Sequence, residues 1–207
     1  MSWTFPGRRP RWSAGATCRP GCGWRRAPSP SFPESLKTTQ AKEGKVATLQ
    51  VGQTAPDFSL PTLDGKVVRL KDLLGSGPVV LVFWKAGCLA CDLAFPYLRR
   101  LAELAPELPI IAVGQETADS ARVYVERQGL QLPVVLDGLD YAVSQLYDPT
   151  YTPTIFLIGP DGKVTFKAEG FSKADLNALA ARVGELIGRP MPEVAPAEDG
   201  VPAFRPG

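Results

Sequence analysis

The run Pro78-Val-Val-Leu-Val-Phe-Trp84 constrains this chain more than any other stretch. In an extended strand successive side chains point to opposite faces, and here every side chain from Val79 to Trp84 is apolar. Both faces must therefore be covered, which is the signature of a central strand buried between two layers. It is also the longest apolar run. It falls far short of the roughly 18 residues a membrane span requires, so the chain is expected to be soluble, with no membrane span.

The flanking segments supply the covering layers. Phe58-Ser-Leu60 and Lys66-Val-Val-Arg-Leu70 flank Asp64-Gly65, a strong hairpin signal. A helical turn at Lys71–Leu74 ends at Gly75. After the central strand, Leu89–Ala105 places Leu98, Leu101 and Ala105 on one helical face, with Pro96 able to kink it. Strand Pro109–Val113, helix Thr117–Gln128 closed by Gly129, strand Val134–Leu136 and a short helix Leu139–Leu146 follow. Ile155–Ile158 and Val164–Ala168 form a second hairpin about Pro160-Asp-Gly-Lys163. The last helix starts at Ser172, with Asp175 three residues on, and carries Leu176, Leu179, Ala180, Val183, Leu186 and Ile187 at spacings of three and four. This order predicts an α/β fold, a mixed sheet with antiparallel edges sandwiched between helices.

The ends read differently. Residues 1–45 are a basic Pro/Arg-rich segment with no periodicity, holding nine Lys/Arg against two acidic residues. They are expected to be disordered, and translation starting near Val46 is an alternative. Arg8-Arg9 lacks the apolar stretch that an export signal needs. Cys18 and Cys22 have no second ligand pair, so tail thiols are favoured over a zinc site. Residues 189–207 carry five prolines and are expected to form a flexible tail, which leaves 50–188 as the folded domain. The remainder of the chain beyond residue 45 is mildly acidic and offers no footprint for nucleic acid.

The chain has no histidine, which removes imidazole as base, haem ligand or metal ligand. Catalysis must use other groups, and Cys88-Leu-Ala-Cys91 offers them. Cys88 follows the buried strand after a three-residue turn and opens a helix. Unpaired N–H groups and the positive helix end lower a thiol pKa there, and the thiolate is the form that attacks a disulfide. Cys91 lies one turn inward, at a spacing that permits a Cys88–Cys91 disulfide. Half of a metal knuckle, or two inert small hydrophobes, are the competing readings. The body has no second ligand pair, so no metal is expected.

Tyr151-Thr-Pro-Thr154 before the strand Ile155–Ile158 joins Phe83-Trp84, the Cys88–Cys91 motif, Phe95-Pro96 and the Asp161-Gly162 turn in a pattern that resembles the thioredoxin superfamily. Val51-Gly-Gln-Thr-Ala-Pro-Asp-Phe-Ser-Leu60 and the strand-helix unit at 134–146 are similar to the TlpA/ResA-like and AhpC/TSA (redoxin) branch. The resemblance implies a thioredoxin-like three-layer α/β/α sandwich with an N-terminal hairpin and an extra strand-helix insertion. It implies a cis Pro153 beside the redox pair and a Thr152 whose backbone pairs with substrate like an added strand. Trp84, Lys85 and Gly87 are supporting candidates, with Lys85 either stabilising the Cys88 thiolate or merely solvated.

The chain also departs from that pattern. Gly87 stands where many thioredoxins have Trp, and Leu89-Ala90 where they have Gly-Pro. The buried acid of small thioredoxins falls on Val82 and the acid of the ResA-like branch on Ala94, so the Cys91 proton needs another acceptor, water by default. Asp92 is read as a dipole partner at the helix start. The uncharged Leu-Ala pair suggests a reducing poise.

The leading expectation is a thiol-disulfide oxidoreductase serving cell redox homeostasis. It would act on protein or small-molecule disulfides, be reset by an external thiol reductant, and need no cofactor. An antioxidant peroxidase with Cys88 peroxidatic and Cys91 resolving is the alternative, although Lys85 and Leu81 stand where peroxiredoxins have Thr/Ser and Pro. A redox-inert binding module is the third. The compartment is expected to be cytoplasmic, with extracytoplasmic the alternative the resemblance implies.

Overall fold

The computed structural model describes residues 48–207. Segment 1–45, with Cys18 and Cys22, lies outside them. In chain order the elements are strands β1 (Ser59–Pro61) and β2 (Val67–Arg69), helix α1 (Leu70–Leu74), β3 (Val79–Trp84), α2 (Leu89–Leu104), β4 (Ile110–Gly114), α3 (Ala118–Gln128) and β5 (Val134–Leu136). Then come α4 (Ala142–Tyr147), β6 (Thr154–Ile158), β7 (Val164–Glu169), β8 (Phe171–Ser172), α5 (Lys173–Ile187) and β9 (Phe204–Arg205).

β3 is central in a five-stranded sheet of order β5-β4-β3-β6-β7. It runs parallel to β4, with Val80 opposite Ile110, and antiparallel to β6, with Val80 opposite Leu157. All six of its side chains are fully buried, and they divide by parity as the sequence requires. Val80, Val82 and Trp84 meet Leu98 and Leu101 of α2, Ala121 and Tyr124 of α3, and Leu176, Leu179 and Val183 of α5. Val79, Leu81 and Phe83 meet Leu70 of α1, Val143 and Tyr147 of α4, and Phe58 and Leu60 of the first hairpin. The result is the thioredoxin-like three-layer α/β/α sandwich, with β5 and α4 as the added strand and helix.

Two details differ from the sequence reading. Only one edge is antiparallel, because β5 at the other edge runs parallel to β4. The first hairpin forms its own two-stranded sheet, pairing with the main one at a single antiparallel bridge, Thr62 to Val135, and otherwise packing on it through Phe58 and Leu60.

The expected flexible tail is instead a strap laid over the helical face. Val194 and Ala195 are buried in the core cluster of α2 and α5. Their N–H groups donate to the Asn177 side-chain oxygen at 3.0 and 2.9 Å, while the Asn177 amide donates back to the Ala195 carbonyl at 2.9 Å. Lys173 of α5, itself buried, pairs with Asp199, which also accepts the Tyr97 hydroxyl. Beyond it, β9 pairs antiparallel with β8. A Pro-rich composition predicts flexibility only when nothing can be buried, and here Asn177 satisfies the backbone polar groups that burial would otherwise strand.

Candidate active site

β3 delivers the chain to a turn, and the turn delivers Cys88 to a helix start. Gly87 has φ +78°, the left-handed region that glycine occupies without penalty. The Glu116 carboxylate fastens the turn by accepting the Ala86 N–H at 2.7 Å, and is itself held by the Ser120 hydroxyl at 2.6 Å. Cys88 is then the N-cap of α2, in extended conformation, with its Sγ accepting the Cys91 N–H at 3.1 Å. A sulfur replaces the usual Ser, Thr or Asp oxygen in satisfying a first-turn donor.

Both thiols are free and their surroundings drive them apart. The Cys88 pKa is lowered to about 6, chiefly by hydrogen bonding from the Cys91 thiol. Partial burial opposes this, and the backbone N–H groups of Cys91 and Ala90 reinforce it. Cys91 is fully buried. Burial pushes its thiol far up, and its hydrogen bond to Cys88 pushes the same way. One sulfur is thus a part-buried thiol whose surroundings favour ionisation and the other a shielded thiol whose surroundings oppose it, the inequality that dithiol exchange needs.

The Thr152–Pro153 peptide is cis, as the resemblance implies. The Thr152 carbonyl accepts the Cys88 thiol at 3.0 Å, so the 151–154 segment borders the Cys88 sulfur although it lies 64 residues away in sequence. Thr154 holds this loop by donating its hydroxyl to the Tyr151 carbonyl at 2.5 Å, and Gly170 does so by donating its N–H to Pro153 at 2.7 Å.

The supporting candidates divide. Trp84 is fully buried and stacks on Tyr124 with ring centroids 4.4 Å apart, in a space that exists because position 114 is glycine: a Cβ there would stand 3.0 Å from the indole. The Lys85 side chain is exposed and lines a different cleft with Gln115, Tyr141 and Gln145, while its backbone carbonyl accepts the Cys88 N–H at 3.4 Å. Asp92 is more than a dipole partner, because it accepts the Tyr124 hydroxyl at 2.7 Å. Val82 and Ala94, the positions on which the resemblance would place an acid, are buried and apolar.

Tyr124 and Glu116 escaped the sequence reading. Nothing local marks them, since Tyr124 looks like an ordinary apolar-face residue of α3 and Glu116 like a loop acid. Among the described residues no cluster of three or more His, Cys, Asp or Glu is placed to hold a metal ion, and no helix is long and apolar enough to cross a membrane.

Comparison with known proteins fits this geometry. The thiol-disulfide oxidoreductase ResA of Bacillus anthracis is 38% identical over 119 residues, covering 56% of this chain and 68% of that protein. ResA of Bacillus subtilis strain 168 is 36% identical over 121 residues, covering 56% and 66%. Among solved structures, a Chlorobium tepidum protein assigned as the thiol:disulfide interchange protein DsbE superposes with a TM-score of 0.63 at 31% identity, covering 68% of this chain and all of that one. The thioredoxin domain of a Bacteroides vulgatus thiol-disulfide oxidoreductase gives 0.58 at 25% identity, covering 66% and 99%. The family model described as AhpC/TSA matches residues 51–167, a span that takes in the first hairpin, the cysteine pair, the cis-proline loop and most of β7, and the chain belongs to that family.

Proposed function

We propose that this protein is a thiol-disulfide oxidoreductase in which Cys88 attacks and Cys91 resolves. The observation that carries the reading is the unequal dithiol: a lowered, half-exposed Cys88 capping α2 beside a fully buried Cys91. The Cys88 thiolate attacks one sulfur of a substrate disulfide, breaking its S–S bond and releasing the first substrate thiolate. Cys91 then gives up its proton and attacks Cys88 Sγ in the mixed disulfide. The second substrate sulfur leaves and takes up a proton, so the substrate is reduced by two electrons and the Cys88–Cys91 pair is oxidised by two. An external thiol reductant returns it to the dithiol. Thr152 and Pro153 position the partner strand, with Trp84 packing behind the pair and Gly87 shaping its turn.

The lowered Cys88 pKa stabilises the reduced form, so it offsets the reducing poise suggested by the Leu89-Ala90 pair. The peroxidase alternative calls for a hydroxyl side chain three residues before Cys88. Lys85 stands there, turned to another cleft, and no observation favours that reading.

The decisive experiment is trapping. Cys91→Ser should accumulate a mixed disulfide through Cys88 with an oxidised polypeptide substrate, and Cys88→Ser should not. Absence of the adduct from Cys91→Ser, with peroxide turnover retained in the unsubstituted protein, would overturn the proposal. We propose the cytoplasm as the compartment, with an extracytoplasmic location the alternative that the family resemblance implies; a membrane-impermeant maleimide should label Cys88 only after lysis, and labelling in intact cells places the protein outside the cytoplasm.

A further inference from the structure

The strap reaches the very backbone that the proposed reaction needs. After β9, Gly207 lies against Thr152: a Cβ on Gly207 would collide with the Thr152 carbonyl oxygen and stand 2.9 Å from the Thr152 nitrogen and 2.8 Å from Tyr151 Cβ. That same carbonyl oxygen accepts the Cys88 thiol. Phe204, Pro206 and Gly207 wall a cleft with Tyr151 and Glu169, so the strap fills space beside the cis-proline loop rather than passing over it at a distance.

The approach is built. Gly170, whose N–H holds Pro153, has φ +73°, and a Cβ there would stand 2.9 Å from the Arg205 carbonyl and 3.1 Å from the Gly207 nitrogen. Upstream, the Lys173 N–H donates to the Ala203 carbonyl at 2.9 Å, the buried Lys173 pairs with Asp199, and Asn177 clamps Val194 and Ala195. By contrast, the last segment has just two strand pairings, Phe171 with Arg205 and Ser172 with Phe204, and besides its close approach to Gly170 and Thr152 it buries little, Phe204 being 62% exposed. The strap is firm up to residue 203 and lightly held where it meets Thr152.

We infer that residues 204–207 cover the strand-pairing edge at Thr152 and thereby set the substrate range. A disulfide presented by an extended polypeptide must first displace them, whereas a small-molecule disulfide reaches Cys88 without doing so. This rests on the proposed exchange reaction and adds to it a specificity device made from the chain itself. A segment held by so few contacts opens locally, and substrate that binds only the open form reacts in proportion to its population.

The test compares the full chain with a chain ending at Ala203 and with Gly207→Val, whose added side chain has no room against Thr152. Each reduced protein is mixed with insulin or with hydroxyethyl disulfide in a single turnover, and oxidation of the Cys88–Cys91 pair is followed by acid quench and alkylation. The insulin rate should rise about tenfold on shortening and in the same direction for Gly207→Val, with the hydroxyethyl disulfide rate unchanged. Equal insulin rates for all three proteins, or a rise shared by the small disulfide, would overturn the inference while leaving the exchange reaction standing. If none of the three proteins oxidises with either disulfide, the exchange reaction itself is wrong. Thermal unfolding of each variant separates a lost cover from a lost fold.

Discussion

Cys88 and Cys91 carry the same functional group and opposite preferences for the proton, because one caps a helix at the surface and the other sits one turn deeper in apolar surroundings. The consequence is a sharp pH dependence. Alkylation of Cys88 by iodoacetamide should be half-maximal near pH 6, fall about tenfold per pH unit below that and level off above, while Cys91 stays unmodified in the folded protein. A midpoint above pH 8 would mean the cap does not stabilise the thiolate. Linkage gives the sign for stability. The folded Cys88 pKa lies below its ordinary value of 9.0, so the unfolded state holds more protons between about pH 6 and 9. Over that window the reduced protein gains stability as pH rises, and the gain is lost as pH falls through 6. Cys91 works in the reverse sense above pH 9, where the unfolded thiol ionises and the folded one does not. Urea titrations of the reduced protein and of Cys88→Ser from pH 5.5 to 8.5 should diverge, the unsubstituted protein rising more steeply. Parallel curves would remove the thiolate from the stability account. This chemistry was legible in the sequence because an N-cap and its first turn are local. Tyr124 and Glu116 were not, since each reaches the site from about 30 residues away through tertiary packing.

The elements were legible in proportion to how far their own pattern decides them. β3 has only one way to be buried, and α5 shows its apolar face and its Ser172 cap in sequence. α4 is different. It is held by Asp137, whose buried carboxylate accepts the Val143 and Ser144 N–H groups at 2.8 and 2.6 Å, and no periodicity announces that role. Its start accordingly falls three residues beyond the sequence expectation, at Ala142. Below α4 the rings of Phe83, Tyr147 and Phe156 meet pairwise at 5.1 to 5.8 Å, fixing it to β3 and β6. Phe156→Ala should cost about 3–5 kcal/mol in urea unfolding through lost burial and the cavity left behind. The Cys88 alkylation profile should be unchanged, because Phe156 packs in the cluster with Phe83 and Trp84 belongs to the other. A shifted profile would show that the two sides of the sheet are coupled at the site.

At the scale of the whole molecule the question is whether residues 189–207 belong to the cooperative unit. Sequence reasoning divides the chain at Gly188, since a Pro-rich stretch offers no repeating face. What overrides composition is a set of single long-range partners: Asn177 for Val194 and Ala195, and Lys173 with Tyr97 for Asp199. None of these can be recognised before α2 and α5 are placed side by side. If the strap folds with the domain, ending the chain at Gly188 uncovers apolar surface on α2 and α5. It should then lower both the urea midpoint and the m-value, because less area is exposed on unfolding. Asn177→Ala tests the same unit without shortening it. It leaves two buried N–H groups without their acceptor and should cost about 1–3 kcal/mol at an unchanged m-value. Were the strap an independent appendage, the shortened chain would unfold at the same urea concentration as the full one. Asn177→Ala would then be silent, whereas a cooperative strap requires both measurements to move together.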